Sequence, residues 1–135
     1  MYPHVVHLSM SASAAIEHLK AALTSERLDI VSEIDMQAML QAQRQGWMTT
    51  PHRLLGIHSP AFASQLRRAD PDFGALRPCS CSVREETPGR TSIAVQEPLA
   101  LALVTRNAAV CTVLQQASDA LQRVLARLRE LAPAT

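Results

Sequence analysis

Aromatic side chains are nearly missing from this sequence: one Trp, one Tyr and two Phe make up 3% of 135 residues. Proteins that hold single-stranded nucleic acid stack bases on aromatic faces, and this chain has almost none to offer. Excess charge is lacking as well. Its 13 Lys and Arg oppose 12 Asp and Glu, a formal charge of +1, so no overall field draws the protein to phosphate backbones or anionic lipid. No nucleic-acid partner is expected. Long apolar runs are also absent. Nothing approaches the roughly 18 consecutive apolar residues of a membrane span, and the start, Met1-Tyr2-Pro3-His4-Val5-Val6-His7, has neither the basic opening nor the apolar run of a secretory signal. We therefore expect no membrane partner and a cytoplasmic location. Cysteine is scarce and odd in number, 3 in all, which without an export signal points to reduced thiols, not to a disulfide framework. A Gly-rich phosphate loop, a Ser-His-Asp pattern and a nucleophile elbow are missing too, so no residue is singled out as catalytic.

What is present is aliphatic. Hydrophobic residues are 47% of the chain, enough for one domain over residues 1–135 that buries about two-thirds of its unfolded surface. Residues 4–10 alternate, with Val6, Leu8 and Met10 on one side, which predicts a half-buried strand. A helix capped by Ser11 or Ser13 follows to about Glu26, with Ile16, Leu19 and Leu23 at helical spacing. Leu28, Ile30 and Ile34 are expected on one face of a second strand. Asp35 caps a short helix over 36–43, and 44–52, with Gly46, Trp47 and Pro51, reads as a loop. Strand three covers 53–57. Ser59 can cap a helix that begins at Pro60 and stops near Asp70, because Pro71 disfavours helical geometry in the residue before it. Strand four puts Cys79, Cys81, Val83 and Glu85 on one face, and the turn Thr87-Pro88-Gly89-Arg90 folds it back on a strand over 91–96.

The run 99–104 fits either a helical turn or an extended segment. Val110, Leu114, Ala117, Leu121, Val124, Leu128 and Leu131 recur at alternating spacings of four and three, the stripe of a long final helix. That stripe covers the sheet or, on a second reading, joins two copies. The fold class is α+β: a mainly antiparallel sheet in β-α-β4-α order, helices packed on one face, and a long C-terminal helix.

Several short motifs along this order resemble one family. Glu33-Ile34-Asp35-Met36-Gln37-Ala38 resembles the acidic-Ile-Asp segment that follows the second strand in the bacterial and archaeal domain of unknown function 302 (DUF302) family. Leu55-Gly56-Ile57-His58-Ser59-Pro60 resembles its Gly-x-Cys-Asn-Pro segment. Asp70-Pro71 and Leu76-Arg77-Pro78-Cys79 resemble its Asp-Pro and Leu-Pro-Cys segments, and the likeness runs over roughly residues 12–130. The resemblance implies a TATA-box-binding-protein-like fold, often as a homodimer, and that fold label carries no DNA-binding function with it. His58 stands where many members have Cys, and Ser59 where they have Asn. Cys79 keeps the Leu-Pro-Cys cysteine and Cys81 adds a thiol. If the family's two cysteines form a redox pair, that pair is absent here; as ligand contacts, His58 and Cys79 still serve.

Cys79 and Cys81 project from one side of a strand, roughly 6.5–7 Å apart, so a disulfide between them requires a bend and a core position suits them as small apolar residues. His58 precedes a helix N-terminus, which favours anions and lowers the pKa of a nearby thiol. With Cys79 and Cys81 it makes only three ligands, short of a zinc site, and no metal is expected. Glu33 and Asp35 read as a solvated charge and a helix cap, Cys111 as a packed residue at the start of the last helix. The leading expectation is a homodimer that binds a small molecule between sheet and helix, with His58, Ser59, Cys79 and Cys81 at the polar end and any cofactor left open. The alternatives are thiol redox or sulfur-transfer chemistry at Cys79, and a structural or interaction module without catalysis.

Overall fold

The computed structural model describes residues 3–42, 50–76 and 79–131. Most of the expected loop over 44–52, with Gly46 and Trp47, lies outside the described residues, as do Arg77 and Pro78. Strand β1 (His4–Leu8) turns Val6 and Leu8 inward, and helix α1 (Ala12–Ser25) starts where the Ser11 hydroxyl accepts the Ala14 N–H at 3.2 Å. Of the two candidate caps, then, Ser11 is used. Ile16, Leu19 and Leu23 form the buried face with Ala12, Ala15 and Ala22, and the small residues let the helix lie close on the sheet.

Strand β2 (Asp29–Asp35) pairs with β3 (His52–His58), β3 with β4 (Cys79–Thr87), β4 with β5 (Arg90–Val95) and β5 with β1, every pair antiparallel. The sheet order is β1-β5-β4-β3-β2. The first two strands are thus opposite edges, and α1 crosses the full width of the sheet to join them. Gly89, with φ of 80°, takes the left-handed position in the β4–β5 turn, which a side chain would strain.

One expectation about β2 is corrected. The register slips between Ile30 and Ser32, so Ile30 stands beside Ile57 while Ile34 stands beside Leu54, on the other face. A single extra residue reverses the phase of an alternating strand, and Val31 and Ile34 end up exposed. Helix α2 (Met36–Ala42) is capped by Asp35, whose carboxylate accepts the Ala38 N–H at 2.9 Å, and it buries none of its residues.

Helix α3 (Pro60–Ala69) runs into a 3-10 helix at Pro71–Leu76, and a second 3-10 helix at Pro98–Leu103 follows β5. The ambiguous run 99–104 takes the helical alternative, as a 3-10 helix whose Leu99, Leu101 and Ala102 pack partly buried against the second cluster, while Leu103 and Val104 face outward. Helix α4 (Ala108–Leu131) buries Val110, Leu114, Ala117, Leu121, Val124 and Leu128, widened by Val113, Ala120 and Leu125; Leu131 is exposed. The stripe is filled by the chain's own core, so it is not left to join a second copy. Its C-terminal half packs with α1 on the sheet, among Val6, Leu8, Leu55, Ile57, Val83, Ile93 and Val95. Its N-terminal half packs with Leu66 of α3 and Phe73 in a second cluster, and Phe62 touches both. Among the described residues, the helices that bury side chains in the core, α1, α3 and α4, lie on one face of the sheet. Among the described residues, no helix is long and apolar enough to cross a membrane.

Candidate functional site

The end of β3 is where sheet, α3 and α4 meet. Gly56 and Ile57 pair with Ser80 and Cys79 on one side, and Ile57 and His58 with Ile30 and Asp29 on the other. The chain then leaves the sheet at Ser59, which is only 4% exposed. Its hydroxyl accepts the Phe62 N–H at 3.3 Å and its carbonyl the Ala63 N–H at 2.8 Å. Pro60 has no N–H, so the cap occupies most of what the helix N-terminus could offer an anion and leaves the Ala61 N–H.

His58, Ser59 and Cys79, expected together, do line one cavity, with Leu28, Ile57, Phe62, Pro98, Ala117 and Leu121 around them. Its volume is about 10 Å³. That is the room of a single water molecule, so this cavity holds no larger ligand as it stands. Room exists on the other side of His58. There a cleft of about 270 Å³ lies between α3 and the first 3-10 helix, lined by His58, Ala63, Leu66, Arg67, Pro71 and Gly74. His58 is the wall common to both spaces.

Cys79 and Cys81 are thiols on the core face of β4, both buried. The Cys79 thiol donates to the Gln96 carbonyl at 3.4 Å. Burial, with Cys79 beside it as a lesser cause, pushes the Cys81 pKa up to about 12, because a thiolate there would lose its hydration. Cys111 is partly exposed on α4. Glu33 and Asp35 lie on either side of Arg53, at 2.9 and 3.6 Å, an ion-paired cluster at the end of β2. Among the described residues, no group of three or more His, Cys, Asp or Glu is placed to hold a metal ion.

Two groups escaped the sequence reading. Arg67 reaches the cleft because Ala63, Leu66 and Arg67 fall on one helical face, a pattern that the 60–70 helix already contained. The other is a polar cluster on the buried side of α4. Glu97, nearly inaccessible, stands 2.8 Å from His4 Nε2 and accepts the Ser118 hydroxyl. No spacing signal joins positions 4, 97 and 118. Since the carboxylate sits between the hydroxyl and the imidazole, His4 cannot take the Ser118 proton, and the cluster is a tie, not a nucleophilic triad.

A family model described as "Domain of unknown function DUF302" matches residues 4–128. The fold is similar to that of a crystal structure of an uncharacterized conserved DUF302 protein from Bacillus stearothermophilus, at 23% identity and a TM-score of 0.84, with 96% of this chain and 99% of that chain covered. No curated protein matches.

Proposed function

Because the chain belongs to the DUF302 family, a family described only as of unknown function, we propose a role from the geometry: this is a small cytoplasmic homodimer that binds a small molecule in the cleft beside His58. The observation that carries this reading is the roughly 270 Å³ cleft against His58. It is just below the roughly 300 Å³ at which ligand pockets usually begin, and it combines apolar walls with few polar groups, as such pockets do. In this reading His58 contacts the ligand, while Ser59, Cys79 and Cys81 stand behind it and fix the end of β3. The sheet face away from α1 and α4, where Val5 and Ile34 are exposed and Leu54 is half-buried, is the surface proposed for a second copy.

Native mass spectrometry of the purified protein, before and after mild denaturation, tests both parts. A bound mass that denaturation releases and that His58→Ala lowers is the expected result for the ligand, and a doubled mass for the dimer. A bare monomer whose cleft amides respond to no added small molecule would remove the proposal. The thiol reading has less support. A buried Cys81 near 12 supplies negligible thiolate at neutral pH, and the Cys79 proton is already engaged by a carbonyl.

A further inference from the structure

We infer that the cleft takes a small monoanion with an apolar body, a carboxylate whose charged end is held by Arg67 beside His58. This rests on the binding role proposed above and narrows it to a chemical class.

The cleft's walls divide by chemistry. Ala63, Leu66 and Pro71 supply an aliphatic floor, and Gly74 adds no side chain. Among the described residues, the polar side chains that line the space are those of His58 and Arg67, and none is a carboxylate. Arg53, Arg84, Arg90 and Arg123 each have a carboxylate within 4.0 Å. Arg67 has none among the described residues, and neither have Arg27, Arg68, Arg106, Arg127 and Arg129, but of these it is Arg67 that lines the cleft. Asp70 and Asp72 flank Pro71, but neither carboxylate is within ion-pair distance of Arg67; the Asp70 carboxylate accepts the Asp72 N–H at 3.1 Å, and Asp29, paired across from His58, lines a separate depression beside Lys20. A guanidinium has five donors in a planar fork that fits a carboxylate through two parallel hydrogen bonds. An uncompensated fork at the rim of an apolar cleft favours a ligand with the same division, charge at one end and hydrocarbon at the other.

The size limits the hydrocarbon. About 270 Å³ accommodates a compact ring or branched chain and excludes a long acyl tail. Gly74 gives a way to test the space: a Cβ built there meets nothing within 4 Å, and its φ is not in the left-handed region. Gly74→Leu therefore adds bulk at the wall without straining the backbone.

The experiment titrates the full-length 15N-labelled protein with benzoate, benzamide and inorganic phosphate, and follows the amide resonances of Ala63, Leu66 and Gly74. Benzoate should move them, with benzamide weaker by up to about fivefold, the upper end of an exposed charge pair. Arg67→Gln, a surface change that leaves the spectrum of the fold intact, should abolish the preference for benzoate, and Gly74→Leu should weaken both aromatic probes. Benzamide binding as tightly as benzoate would overturn the anion assignment while leaving the cleft as a binding site. Phosphate binding as tightly as benzoate would overturn the requirement for an apolar body. If no probe moves the cleft amides, this inference and the binding role fall together.

Discussion

His58 is half-buried not because of its own chemistry but because Ile57 before it and Ser59 after it are both drawn inward. Ser59 holds the exit from β3 by capping α3, so Ser59→Ala should cost about 1 kcal/mol, the usual worth of such a cap. Urea denaturation reads this directly, and an unchanged midpoint would show that the Phe62 N–H finds another acceptor. Cys81 gives a prediction in pH. Its folded pKa is raised from 9.0 to about 12 by burial first and by Cys79 second. Above pH 9 the unfolded chain loses this proton while the folded chain keeps it, so unfolding is favoured as pH rises from about 9 towards 12. Stability measured from pH 8 to 10.5 should fall more steeply for the wild type than for Cys81→Ala, which is less stable throughout because of the cavity it leaves. Parallel slopes would place the titration elsewhere.

At the scale of elements, α4 was the most legible in the sequence and β2 the least. The four-and-three spacing of α4 persists for six turns, and burial follows it until Leu131 runs past the edge of the core. Leu125→Ala should therefore cost about 2–5 kcal/mol, the range for buried Leu truncations, whereas Leu131→Ala should stay within about 0.5 kcal/mol of the wild type. Thermal or urea unfolding of the two variants checks the contrast, and comparable losses would mean that Leu131 is covered in solution. In β2 the alternation of Leu28, Ile30 and Ile34 looked continuous, but the bulge at the sheet edge moved Ile34 to the open face. Residue order carries the period of a strand and does not carry the place where an extra residue is accommodated.

Across the whole molecule, distant parts of the chain are tied by groups that no local pattern marks. Glu97, at the start of the second 3-10 helix, joins His4 on β1 to Ser118 on α4. Glu97→Ala leaves both partners without their acceptor in a nearly closed site and should cost about 1–3 kcal/mol. Glu97→Gln, which keeps an acceptor and the side-chain volume, should recover part of the loss. Equal losses in the two variants, read from urea midpoints, would mean that the negative charge itself is required. The candidate site has the same non-local origin: His58 and Cys79 share a small cavity only because β4 pairs with β3, and the cleft exists only because a 3-10 helix folds back along α3.

The sequence alone determined the class of fold, the caps at Asp35 and Ser59, the β4–β5 turn, the shared face of Cys79, Cys81 and Val83, and the buried stripe of α4. These depend on the side-chain period of helix and strand and on turn chemistry, which act over a few residues. Tertiary structure decided the strand order, the slip in β2, the Glu97 tie, and the closure of the His58–Cys79 cavity to the size of one water while space remained beside Arg67. Each of these depends on how closely separate elements approach, and packing distances between elements are set by the whole set of side chains in contact, not by any one segment's pattern.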